Sequence, residues 1–187
     1  TEGILDINEL KSAIDPDTAI ISIMYANNET GVVFPMEEIA EIARVRDAVL
    51  HTDAVQAVGK IPFKMNELPV DLLSLSGHKL HAPKGVAALY IRRGTRFSPF
   101  MIGGHQEYNR RGGTENVASI VGLGAACEIA KKAIDGKGTK IKVLRDKLEK
   151  GLLEKIPNSK VNGRLEHRLP NTSNIGFEFV EGEAILL

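Results

Sequence analysis

The sequence predicts an α/β fold built on a mostly parallel sheet, and three observations carry that expectation. Short runs rich in Ile, Val and Leu alternate with segments of helical spacing, the order that βαβ units require. The run Ala19-Ile20-Ile21-Ser22-Ile23-Met24-Tyr25-Ala26 is nearly continuous in apolar residues, the pattern of a strand covered on both faces. Three successive strand-like runs stop at Asn28, Asp53 and Lys79, and in a parallel sheet such ends share one edge.

The elements follow in order. Asp6 to Ile14 reads as a short helix with Leu5, Leu10 and Ile14 as its apolar stripe, ended by Asp15-Pro16-Asp17. The first strand runs into Asn27-Asn28-Glu29-Thr30-Gly31, a loop of strong turn formers. Pro35 to Asp47 returns to helical spacing, with Ile39, Ile42, Ala43 and Val45 on the buried side. Val49 to Thr52 is a second strand ending at Asp53, and Ala54 to Val58 is a helical turn closed by Gly59. After a connector with two prolines, Leu72 to Ser76 reads as a buried strand that delivers Lys79 beside Ser76 and His78.

Ala87 to Ile91 is a further strand, and Phe97 to Gly113 is a glycine-rich loop of a length usually reserved for functional loops. Asn116 to Ile134 reads as a long helix packing through Val117, Ile120, Val121, Ala125, Ile129 and Ala133. Thr139 to Ile156 reads as a second helix, and its charged face, Lys137 to Lys155, is expected to be solvated. Strand character from Val161 to Phe179 suggests a smaller second domain, which divides the chain into residues 1–135 and 136–187.

Composition narrows the function classes. Of 187 residues, 43% are hydrophobic and 26% charged, enough to bury a core. Basic and acidic residues balance at 24 each, so no nucleic-acid or membrane-surface partner is indicated. No apolar run approaches a membrane span. The single cysteine, Cys127, provides no disulfide framework and suits a reducing cytoplasm. Thr1 in place of a methionine, and a C-terminal helix start without a stop signal, give the expectation of an internal piece of a longer protein.

The three polar strand ends suggest a chemistry. A lone lysine is usually a solvated loop residue. Beside Asn28 and Asp53, Lys79 is placed to form a Schiff base with a phosphorylated carbonyl cofactor. Together these groups match the needs of pyridoxal 5'-phosphate. Lys79 offers the amine. A buried carboxylate such as Asp53 keeps the pyridine nitrogen protonated through a charge-assisted hydrogen bond worth roughly 1.5–3 kcal/mol. Asn28 or Gln56 supplies a neutral partner for the ring hydroxyl, and Ser76, Gly77 and His78 supply donors for the phosphate.

The motifs carrying these residues resemble those of the cysteine desulfurases, most of all the NifS branch. They are Ala26-Asn27-Asn28-Glu29-Thr30-Gly31, His51-Thr52-Asp53-Ala54-Val55-Gln56, Ser76-Gly77-His78-Lys79, Pro83-Lys84-Gly85 and Arg111-Gly112-Gly113-Thr114-Glu115-Asn116. Gly103-Gly104-His105-Gln106-Glu107 and Val180-Glu181-Gly182-Glu183-Ala184 extend the match along most of the chain. The resemblance implies the three-layer large domain of the aspartate-aminotransferase-like fold and the start of a small α+β domain. It implies an enzyme that takes sulfur from L-cysteine, leaving L-alanine, and passes it as a persulfide to an iron–sulfur scaffold protein.

The same resemblance gives residue roles. Lys79 would hold the cofactor and shuttle the substrate α-proton. Asp53 would pair with the pyridinium nitrogen, Asn28 and Gln56 would contact the ring, and Ser76, Gly77 and His78 would bind or flank the phosphate. Thr114 would reach the phosphate of the neighbouring subunit in a homodimer. The family often has serine where Gly112 or Gly113 stands. Its persulfide cysteine and its carboxylate-binding arginine are expected after Leu187, and a stacking histidine before Thr1. Cys127, on a small-residue helix face, reads as a buried inert thiol. Another enzyme of the same fold and cofactor, such as a selenocysteine lyase or an aminotransferase, remains an alternative, as does a non-catalytic cofactor-binding and dimerisation core. His78 and His81 have a metal-permitting spacing without a second ligand pair nearby. His105 either lines the pocket or satisfies local backbone groups.

Overall fold

The computed structural model describes residues 2–186, with backbone alone for 135–139, so Thr1, Leu187 and the side chains of Lys137 and Thr139 lie outside the described set. The main sheet has four strands in the order β1 (Ile20–Met24), β2 (Val49–Asp53), β3 (Leu72–Ser76) and β4 (Ala87–Ile91). The pairs β1–β2 and β2–β3 are parallel, and β3–β4 is antiparallel. A mostly parallel mixed sheet with helices is therefore what the alternating pattern produces.

Helix α1 (Ile7–Ala13) begins where Asp6 accepts the backbone N–H groups of Asn8 and Glu9 at 2.8 and 3.1 Å. Helix α2 (Met36–Val45) crosses from β1 to β2 and buries Met36, Ile39, Ala40, Ile42 and Ala43. These meet Ile21, Leu50 and Leu73 from the sheet, with Leu68, Val70 and Leu169 completing the core. Each large aliphatic side chain buried there contributes about 1.5–3 kcal/mol. Val45, expected on the buried side, is 68% exposed, because the stripe of α2 is centred on Met36, Ile39 and Ala43.

The expectation that β1 is covered on both faces is corrected. Its burial alternates: Ile21 is buried, whereas Ile20 is 51% exposed and Met24 37%. The pleat sends Ile21, Leu50, Thr52 and Leu73 toward α2, and Ser22, His51, Asp53, Ser74 and Ser76 to the opposite face. The candidate site lies along the C-terminal edge of that second face.

The two helices expected between Asn116 and Ile156 are one helix, α3 (Val117–Lys155). No proline interrupts it, and its glycines do not suffice to end it. Its packing face also differs from expectation. Val117, Ile120, Val121 and Ile129 are exposed, and Leu123 and Ala126 are buried, with Cys127 and Ala130 packed beside them against Leu80 and Val86. The small-residue face docks because it allows close approach: a Cβ on Gly122 would lie 2.9 Å from Pro83 Cδ. Cys127 is half-buried there.

The charged face of α3 is not wholly solvated, a further correction. Arg145 and Glu149 are each 7% exposed. Arg145 donates to the carbonyls of Leu169 and Thr172 at 3.0 and 3.1 Å, and Arg168 forks onto Glu149 at 2.8 and 2.7 Å. Strands β5 (Ser159–Val161) and β6 (Ile175–Phe177) pair antiparallel in a separate small sheet, and α4 (Gly182–Leu186) follows. Among the described residues no helix is long and apolar enough to cross a membrane.

Candidate active site

The site begins with the parallel register. Met24 lies beside Asp53, and Asp53 beside Ser74, so β1, β2 and β3 finish on one edge. Backbone bonds continue the ladder past the strands: Tyr25 N–H donates to Asp53 at 2.8 Å, and Ala54 N–H to Ser74 at 2.9 Å. Asn28, Asp53, Ser76, His78 and Lys79 are thus held at one end of the sheet, as the three strand ends predict.

Each residue is set by local chemistry. Asn27 builds the turn after β1, its Oδ1 accepting the N–H groups of Glu29 and Thr30, both at 2.9 Å. That leaves Asn28 at the tip, exposed. Asp53, expected to be buried, is exposed at the end of β2, and its Oδ1 accepts Val55 N–H at 2.9 Å, which starts the turn carrying Gln56. Gln56 is half-buried, with Oε1 held by Lys60 Nζ at 2.6 Å.

After β3 the chain turns through a short 3₁₀ helix, Gly77–Leu80. Ser76 Oγ and His78 Nδ1 are 2.7 Å apart, a hydroxyl–imidazole pair suited to an anion. Gly77 is required by packing, since a Cβ there would fall 2.7 Å from Val86 Cγ1 and 2.9 Å from the Val86 carbonyl oxygen. Its N–H donates to that carbonyl at 2.9 Å, so it is engaged in holding the turn rather than offered to a phosphate. Lys79 is exposed and lines a cavity of about 250 Å³ with Lys60, His81 and Asn171. Burial, and then the charge of Lys79, push the Lys60 amine below its ordinary range.

Thr114 is exposed on the loop entering α3, and among the described residues no hydrogen bond ties it to the other candidates. Of the two glycines before it, Gly112 is pressed against backbone, where a Cβ would lie 2.8 Å from Gly103 N, whereas Gly113 has room but a φ of +89°. His105 is exposed. A concavity of about 970 Å³ lies elsewhere, lined by α2 and Arg92–Arg96, and none of these groups lines it.

Two further residues, one of them within the motifs, have no role assigned by the sequence. His51 stands two positions before Asp53 on the same strand face, with Nδ1 2.7 Å from Ser22 Oγ and Nε2 2.6 Å from Ser74 Oγ. Lys60 lies four residues after Gln56. Strand alternation is the signal that places the first, and i,i+4 spacing the second.

The donor set fits pyridoxal phosphate by its chemistry. A primary amine, a carboxylate, carboxamides and a hydroxyl–imidazole pair stand at or just after the ends of neighbouring strands, where such ligands gather, although the cavity that Lys79 lines has none of the other candidate groups in its wall.

Comparison with known proteins agrees. Residues 1–187 match the family model described as Aminotransferase class-V. A cysteine desulfurase of Gluconacetobacter diazotrophicus is 60% identical over 185 residues, 99% of this chain and 46% of that protein. The cysteine desulfurase NifS of Azotobacter vinelandii is 54% identical over 186 residues, 100% of this chain and 46% of that protein. A solved NifS-like protein superposes with a TM-score of 0.92 at 40% identity, covering 98% of this chain and 50% of its own. The chain spans about half the length of the curated relatives it matches. A family match along the whole chain, on a fold shared with a NifS-like structure, establishes that this chain belongs to the class-V aminotransferase family.

Proposed function

We propose that the protein containing this chain is a cysteine desulfurase, which converts L-cysteine to L-alanine and passes the sulfur, through an enzyme persulfide, to an iron–sulfur assembly scaffold. The observation that supports the reading is that Asp53, the Ser76–His78 pair and Lys79 follow the ends of adjacent strands at one edge of the sheet. Identities of 54–60% to proteins named cysteine desulfurase support it.

Bound at this edge, pyridoxal phosphate supplies an aldehyde for an amine and a ring that stores the electron pair left by the α-proton. Lys79 Nζ holds the cofactor in the resting enzyme, then takes the substrate α-proton and returns a proton as alanine forms. Asp53 keeps the ring nitrogen protonated. Asn28 and Gln56 orient the ring, and Ser76 and His78 hold the phosphate, with Gly77 shaping the turn between them. Thr114 reaches the phosphate of the second subunit in a homodimer. A cysteine thiolate other than Cys127 would attack the sulfur of the substrate and become the persulfide, the electron pair of the broken C–S bond passing to the substrate carbon, which takes up protons to become the methyl group of alanine.

Residues 1–135 form part of the cofactor-binding large domain, and 136–187 the connecting helix and the beginning of a small domain. The separate β5–β6 sheet supports a distinct C-terminal part, while α3 runs unbroken across the boundary at residues 135 and 136. A cytoplasmic location suits the free thiol of Cys127. The test is direct: full-length protein, given L-cysteine, pyridoxal phosphate and a reductant, releases sulfide and alanine in equal amounts. Neither product from folded, cofactor-loaded protein would refute the reading. Alanine without sulfide, or transamination to a keto acid, would favour another enzyme of this fold.

A further inference from the structure

We propose that Lys60 is a positioning residue, whose ammonium fixes the orientation of the Gln56 carboxamide so that Gln56 presents its amide N–H groups to the cofactor's ring oxygen. The inference rests on the reading that Gln56 faces that ring.

The geometry forces the orientation. Lys60 Nζ lies 2.6 Å from Gln56 Oε1. An ammonium has three donors and no acceptor, so only the carbonyl oxygen of a carboxamide can face it. A free glutamine flips between two nearly equivalent arrangements. Here one arrangement sets oxygen against the ammonium, and the other sets an N–H donor against it. The first is favoured by a charge-assisted hydrogen bond. The atom left for the ring is Nε2, a donor, which is what a phenolic oxygen carrying negative charge requires.

Lys60 is itself held in place. Its backbone N–H donates to Ala57 at 3.0 Å. The preceding Gly59 has φ +75°, and a Cβ there would lie 2.5 Å from Leu80 Cδ2 and 3.2 Å from Ala130 Cβ. The turn is therefore wedged between the 3₁₀ helix bearing Lys79 and helix α3. Burial lowers the Lys60 amine from its ordinary range, consistent with a side chain lodged in the wall rather than in solvent. Lys60 lines the same cavity as Lys79, while Gln56 itself stands outside its wall.

The test is a double-mutant cycle in the full-length protein, read as affinity of the apoprotein for pyridoxal phosphate and as the absorbance of the loaded form. Lys60→Met is expected to weaken binding about three- to tenfold, the scale of one lost hydrogen bond. Gln56→Ala is expected to weaken it to a similar degree. The double variant should bind no more weakly than Gln56→Ala alone, because Lys60 acts only through Gln56. Lys60→Arg, which keeps a donor-only cation, should restore affinity to within about twofold of wild type. If Lys60→Met fails to fold, Lys60→Gln takes its place in the cycle. Additive losses in the double variant, or unchanged affinity in the single one, would overturn the role of Lys60. Wild-type protein that takes up no cofactor would overturn the underlying reading, and this inference with it.

Discussion

His51 Nε2 lies 2.6 Å from Ser74 Oγ, and Ser74 stands opposite Asp53 in the β2–β3 register. The other ring nitrogen reaches Ser22 Oγ at 2.7 Å, so one imidazole ties three strands together just behind the carboxylate of Asp53. A neutral imidazole donates at one nitrogen and accepts at the other, and hydroxyls adapt to either role. Replacing His51 by Ala removes both bonds. The expected loss is ~1–2 kcal/mol, read as a lower urea midpoint of the full-length protein. An unchanged midpoint would mean that the row is incidental to strand pairing.

Gly77 is expected to tolerate no side chain. Gly77→Ala puts a methyl group against Val86 Cγ1 and the Val86 carbonyl, and the carbonyl is backbone that cannot swing away. The turn bearing His78 and Lys79 must then shift. Overpacking of this kind costs about 1–3 kcal/mol. Thermal melting should fall, and cofactor affinity with it. A variant as stable as wild type would show that the turn has more room than its contacts indicate.

The buried charge cluster on α3 gives an asymmetric prediction. Glu149 is shared by Arg168, at 2.7 Å, and Arg145, at 3.9 Å. Glu149→Ala leaves the buried Arg168 guanidinium without its anion, whereas Arg145 keeps Asp146 at 2.7 Å, and is expected to cost about 3–5 kcal/mol. Arg168→Ala leaves Glu149 beside Arg145 and should cost less. Equal losses in denaturant unfolding would count against a shared carboxylate.

Much of this arrangement is legible in the sequence, for a physical reason. Strand ends are marked by residue type, and a parallel sheet brings those ends to one edge. Asn28, Asp53 and Lys79 can therefore be grouped from their order along the chain. The packing of α3 is not legible in the same way. Val117, Ile120, Val121 and Ile129 form the more apolar stripe, but the 3₁₀ helix and Pro83 approach the small-residue face at Gly122, Leu123 and Ala126. Hydrophobicity marks what gains from burial, whereas the dock is decided by how closely two backbones can approach. Arg145 and Glu149 look solvated in the sequence because their partners, Arg168 and the Leu169 carbonyl, are distant along the chain.

Asp53 separates binding from chemistry. Asp53→Asn keeps the shape, and its carboxamide oxygen can still accept Val55 N–H, but it cannot hold a protonated ring nitrogen. Cofactor affinity is expected to fall by about tenfold, and turnover by a larger factor, since the electron sink fails in the transition state. Equal losses of binding and turnover would assign Asp53 to the turn alone.

Borohydride reduction decides whether Lys79 anchors the cofactor. Full-length protein loaded with pyridoxal phosphate is reduced, digested and mapped by mass spectrometry. The expected result is a pyridoxyl group on the peptide containing Lys79, with loss of both that adduct and the yellow absorbance in Lys79→Ala. An adduct on Lys60 or another lysine in wild type, or an active-site adduct persisting in Lys79→Ala, would contradict that role.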